Sequence, residues 1–180
     1  MPNASTPNLP AGPWPFEQVP VPADVGFHCS LALNELMARW QELSGPDRYR
    51  ELEGLLRRAL GSRYVFVQQD ASSERLVFRE FGEGLFDHIK PWRVGAVGQP
   101  IEDMPDRHYG RWVAQSYLET LSVGQPQIDH VDAIVNWPHR GRSRLRYKRL
   151  IVPLDLASDK PLLLGGSIMD DTIDLRVGVT

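Results

Sequence analysis

RLRYKRLIVPLDL at Arg144–Leu156 and LLLGGSIMD at Leu162–Asp170 are the two stretches whose reading decides the fold. Leu145 and Tyr147 alternate with Arg144, Arg146 and Lys148, the period of two that marks a half-buried strand. From Leu150 to Leu154 the alternation gives way to almost continuous apolar sequence, so side chains pointing to both faces must be covered there. Leu162–Met169 is a second apolar run, short enough for a strand. The link Ala157–Pro161 carries Ser, Asp and Pro, which are turn residues. The spacing predicts two central antiparallel strands in a hairpin, covered on both faces at one end.

Working outward, Gln127–Trp137 alternates well enough for a strand, with Pro138–Ser143 as its turn. Before it, Asp106 stands where it can cap a long helix that ends at Gly124 and Pro126. Tyr109, Trp112, Val113, Ser116, Tyr117 and Thr120 share one face of that helix. Arg63–Gln69 and Glu74–Phe81 are β-branched and aromatic, two strands with a turn at Asp70–Ser73. Leu85–Lys90 reads as one helical turn stopped before Pro91, and Val94–Asp103 as irregular chain. Further upstream, Leu33, Leu36, Met37, Trp40 and Leu43 recur at helical spacing, and Tyr49, Leu52, Leu56 and Ala59 form a second stripe. Gly45-Pro46 ends the first helix, Ser44 and Asp47 have capping-box spacing for the second, and Gly61 is a C-terminal cap. Met1–Ala23 holds seven prolines and reads as an extended arm, in which Trp14 and Phe16 either pin the chain to an apolar groove or are stray aromatics of a tail.

The order predicts an α+β domain with a five-stranded antiparallel sheet, helices on one face and a helical pair ahead of it. The expected divisions are an arm at 1–23, the helical pair at 24–61, the sheet domain at 62–170 and a tail at 171–180. At 180 residues and 42% hydrophobic, the chain suits one domain with an ordinary core. A net charge of -3 gives no general reason to bind nucleic acid. Its one cysteine, Cys29, rules out an internal disulfide framework or a multi-cysteine zinc site and fits a reducing cytoplasm. No apolar run approaches the roughly 18–20 residues of a membrane span, and no secretory signal is evident.

Two strands, short helices, one longer helix and a three-stranded meander resemble the PAS domain. VGAVGQPIEDM at Val94–Met104 resembles the segment entering the PAS helical region. RYKRLIVPL at Arg146–Leu154 with LLLGGSIMD resembles a bacterial family of mostly stand-alone PAS-like proteins. The resemblance spans about Ser62–Asp170. It implies a sensory or regulatory module, often a homodimer through helices ahead of the first strand, and it brings no catalytic residues. No kinase, cyclase or DNA-binding segment follows Asp170, so the expected output passes through a partner protein.

Candidate site residues follow from parity and from the resemblance. Arg149 keeps step with Leu145, Tyr147 and Ile151 and is expected on the covered side, where an arginine needs a partner. It either forms a salt bridge to a core carboxylate or holds an anionic ligand bidentately. Trp112 and Tyr117 on the long helix are expected to face Tyr147 and Arg149 across a cavity. His130, in step with Ile128, Asp132 and Ile134, is expected to turn inward, as a cavity residue, or else to be a hydrogen-bonded core or edge histidine. Some PAS domains bind haem through a histidine of the long helix, where His108 is the candidate here. The other alternative is a small α+β enzyme using the same cavity. No His-x-x-x-His, Gly-x-Ser-x-Gly or phosphate loop occurs, so no hydrolase, transferase or metal-dependent activity is expected. Convergence of His108, His130, Asp132 and Glu102 would overturn that. The basic run Arg140–Arg149 reads first as a solvated strand face, with Asp129–Asp132 as cross-strand partners, and second as a surface for a partner protein.

Overall fold

The structure is a computed structural model that describes residues 16–20, 31–43, 51–52, 54–55, 60–85, 90–138, 141–155 and 159–175. Its strands are β1 (Phe16–Pro20), β2 (Tyr64–Gln69), β3 (Leu76–Phe81), β4 (Gln127–Trp137), β5 (Gly141–Asp155) and β6 (Leu162–Met169). Its helices are α1 (Leu31–Glu42), α2 (Lys90–Ala96) and α3 (Arg107–Val123), with a 3-10 turn at Ile101–Asp103. Residues 51–52 and 54–55 are also helical.

The strands form one antiparallel sheet in the order β1-β4-β5-β6-β2-β3. The expected hairpin is its centre: Leu150 pairs with Gly166 and Val152 with Leu164. Pro153 is tolerated in this central strand because the pairing slips between Pro153 and Asp155. The Pro153 carbonyl accepts a hydrogen bond from Trp40 Nε1 at 2.6 Å.

The sheet has six strands, not five. The extra one, β1, comes from the proline-rich arm and pairs with β4, Phe16 opposite Ala133 and Val19 opposite His130. Its prolines kept it from reading as a strand, but an edge strand tolerates them, and Pro20 is the last residue of β1. Phe16 is buried between Tyr109 and Trp112, ring centroids 5.6 and 5.5 Å away. The helical turn expected at Leu85–Lys90 falls mostly on residues 86–89, outside the described residues. Helix α2 begins at Lys90 and takes Pro91 into its first turn, where proline's missing N–H has no partner to lose. The supposedly irregular Val94–Asp103 holds the end of α2, the 3-10 turn and a bridge from Pro100 to Val77.

Helices lie on both faces of the sheet: the domain's helices were expected on one face only, while the double cover expected at the Leu150–Leu154 end of the hairpin is present. On one side α3 packs over Val131, Ala133, Leu145, Tyr147 and Ile151. On the other, Leu36 and Trp40 of α1 with Leu52 and Leu55 cover Phe66, Ile128, Leu150, Val152 and Leu164. Leu55, outside the expected stripe, is buried there. The capping residues Ser44 and Asp47, the helix breaker Gly45-Pro46, the stripe residues Leu33, Tyr49, Leu56 and Ala59, and Trp14, His28, Cys29 and Arg140 lie outside the residues whose side chains are described.

The change in pattern at Leu150 now has its cause. The Leu150–Leu154 half of this outer face is covered by α1. The Arg144–Lys148 half meets the segment after β6: Lys148 Nζ lies 3.0 Å from Asp170 and Arg144 Nη2 lies 2.7 Å from Asp174. Ile173 of that segment is buried.

Candidate functional site

α3 holds the site against the sheet. Asp106 caps it as expected, its carboxylate accepting the backbone N–H groups of His108 and Tyr109 at 3.0 and 3.1 Å. Gly124 closes it in the left-handed region at φ 69°. The expected face is turned inward: Tyr109, Ser116, Tyr117 and Thr120 are buried, Trp112 and Val113 half-buried. Tyr117 fits because its partner strand carries Gly165, where a Cβ would stand 1.7 Å from the phenol oxygen.

Arg149 is the centre of the site, 3% exposed. It stands opposite Asp129 in the β4–β5 register, and Asp129 is wholly buried. Its Nη2 lies 2.7 Å from Asp129 Oδ2, 2.8 Å from Gln18 Oε1 and 3.0 Å from Ser116 Oγ. Its Nε donates to Asp129 at 3.2 Å. The guanidinium lies over the Trp112 ring, 5.2 Å from its centroid. Burial opposes the charge, but Tyr147 and Asp129 outweigh it and raise the Arg149 pKa above its usual value. The salt-bridge reading of Arg149 therefore describes its geometry. One guanidinium therefore ties the central strand to β4, to α3 and, through Gln18, to the arm strand.

The pairing is lopsided. Nη1 of Arg149 is buried with no hydrogen-bond partner among the described residues. An unsatisfied buried donor of this kind costs about 1–3 kcal/mol. Arg149 borders a space of about 40 Å³ between the sheet and α3, walled by Phe78, Phe81, Trp92, Met104 and Val113 with Tyr117, Tyr147 and Ser167. The Tyr147 and Tyr109 hydroxyls lie 2.7 Å apart, and burial raises both phenol pKa values.

Trp112, Tyr117, Tyr147 and Arg149 thus meet as expected, although Trp112 covers the guanidinium instead of lining the space. His130 does not join them. It alternates with Asp129 and Val131, which face α3, and stands opposite Lys148 on the outer face. Its shared parity with Ile128 was read correctly, but the face that parity turns to is the one under α1 and the acidic segment. His108 does not reach the space either. It is exposed at the first turn of α3, with Nδ1 3.4 Å from Arg111 Nη2. A haem held by His108 does not fit, since neither the histidine nor a 40 Å³ interior serves it.

Asp132, on the outer face, is wholly buried and takes Arg144 through Nε at 2.8 Å and Nη2 at 2.6 Å. Burial pushes its pKa up, and the Arg144 bonds with the Leu175 N–H more than reverse that, leaving it lowered. Glu102 sits 3.4 Å from Arg75. His108, His130, Asp132 and Glu102 therefore do not converge, and no group of three or more metal-ligating side chains forms among the described residues. No described helix is long and apolar enough to cross a membrane.

Sequence reasoning missed Gln18 and Ser116 as partners of Arg149. Ser116 was on the inward face of its helix, so its position was readable. Gln18 lies in a proline-rich stretch and gave no signal. No family model matches the chain.

Proposed function

We propose that this chain is a PAS-like sensory or regulatory module that takes a small ligand between the sheet and α3 and acts through protein–protein contact. The chain order supports it: β2 and β3, the short helices, the longer α3, then β4–β6 in succession. The carrying observation is Arg149, a buried cation that borders the interior space and also holds β1 and α3. A ligand that draws on this guanidinium alters its hold on Gln18, and with it the sheet edge where β1 lies. That gives occupancy a route to the surface.

The proposed partner is a protein, with a second copy of this chain as the first candidate. Native mass spectrometry of the purified protein, followed by hydrogen exchange with and without the retained molecule, tests the reading. The expected result is a bound small molecule whose removal raises exchange in β1 and α3. Failure of any small molecule to enter, or entry without change at β1, removes the sensory role.

A further inference from the structure

We infer that the space beneath α3 selects a small uncharged molecule with an apolar body and one acceptor oxygen, carbonyl or hydroxyl, which docks on Nη1 of Arg149. This rests on the sensory reading above and names the ligand class for it.

The donor is fixed by elimination among the guanidinium nitrogens. Nε and Nη2 are both engaged by Asp129, and Nη2 also meets Gln18 and Ser116. Of the three, Nη1 alone is buried without a partner among the described residues, on a side chain that borders the space. A carboxylate gripping Nη1 and Nη2 together would have to displace the acceptors already on Nη2. The bidentate anionic ligand, the alternative to the salt bridge in the sequence reading of Arg149, is therefore the wrong geometry for this arginine.

The charge follows from Asp129. It lies 2.7 Å from Nη2 and is wholly buried, so the cation already has its counter-ion. A second carboxylate would place two buried anions on one cation, and Arg149 is the only basic residue among the described residues that border the space. Burial of an anion without compensation is strongly unfavourable. A neutral oxygen satisfies Nη1 without that cost.

The apolar body follows from the walls. Phe78, Phe81 and Trp92 pack edge to face or tilted, with centroids 4.8–5.9 Å apart, and Met104 and Val113 complete an apolar surface. The space of about 40 Å³ limits the ligand to a few heavy atoms unless the half-buried Phe81 and Trp92 move outward.

The test uses the full chain labelled with nitrogen-15, observing the arginine guanidinium signals by NMR. The probes are 2-butanone, 1-butanol, butyrate at pH 7 and xenon. The expected result is a saturable shift of Arg149 with butanone and butanol, and binding of butyrate weaker by roughly tenfold or more. Because Arg149→Met strands Asp129, the control is the pair Arg149→Met with Asp129→Leu, which keeps the interior apolar. In that variant butanone should lose its advantage over xenon. Butyrate binding as tightly as butanone overturns the uncharged class. Entry of xenon without preference for the oxygenated probes overturns the acceptor contact and leaves the sensory reading standing. Exclusion of every probe, with only a water found at Nη1, overturns both.

Discussion

Arg149 and Asp129 face each other across β5 and β4, and neither reaches solvent. Losing one partner from such a pair leaves a buried charge alone, which costs about 3–5 kcal/mol. Arg149→Met is expected to destabilise by that amount in urea unfolding, and Arg149→Met with Asp129→Leu to recover most of it. A single variant as stable as the parent would show that the pair is not held in the folded chain. The parity that placed Arg149 inward was legible because its neighbours Leu145, Tyr147 and Ile151 are apolar. The same device failed for His130, since β4 is buried on both faces and its alternation does not say which face is which. A second residue-scale expectation concerns Asp170, whose pKa is held at about 2 by the Thr172 hydroxyl first and then Lys148. Because the folded value lies below the ordinary 3.8, the stabilisation is present above that pH and lost as pH falls toward 2. Melting temperatures between pH 5 and pH 2 should fall less steeply in Asp170→Asn than in the parent; equal slopes would assign the acid sensitivity elsewhere.

β6 shows how an element is shaped by what must approach it. Gly165 and Gly166 are adjacent and point to opposite faces, the first meeting Tyr117 of α3 and the second Leu60 on the α1 side. A glycine pair inside an apolar strand reads in sequence as close backbone approach, and both approaches are present. Gly165→Ala brings a Cβ to 1.7 Å from the Tyr117 hydroxyl and 2.8 Å from its Cζ. Overpacking of this sort costs about 1–3 kcal/mol. Tyr117→Phe in the same chain removes the closer clash and should restore part of the loss, as read by urea midpoint. No restoration would mean that Gly165 is needed for the strand's own pairing rather than for the helix. β1 was the element least legible, because its signal is tertiary. Only Phe16 entering the core and Gln18 reaching Arg149 make a strand of it. α2 was not foreseen because Pro91 was taken for a stop, whereas proline serves equally at a helix start.

At the scale of the whole molecule, the sheet separates two cores that depend on different parts of the chain. The side under α3 is built from the strands and helices between Val65 and Leu163, with Phe16 added at the edge. The other side needs Leu36, Trp40, Leu52, Leu55 and Leu60 from ahead of β2 to cover Tyr64, Phe66, Leu150, Val152 and Leu164. The stripe of α1 was expected to pack against the same helix of a second copy, against the outer sheet face, or both, because helical spacing reveals an apolar face but not what covers it; the sheet face is what it meets. Its burial against this chain's own sheet removes the stripe as the reason for a dimer, so any contact between copies must use other residues. The consequence is testable by shortening the chain to begin at Gly61. That removes β1 and the residues ahead of β2 that cover the Leu150–Leu154 half of the outer face, leaving a contiguous apolar surface on a β-sheet whose β4 edge is also open. The shortened chain is expected to aggregate or to melt without cooperativity, whereas a chain lacking only residues 1–15 should keep a cooperative transition. Light scattering and calorimetry on both decide it. A soluble, cooperatively melting monomer starting at Gly61 would show that the sheet and α3 suffice as a folding unit, and that α1 is an added element instead of half of the core.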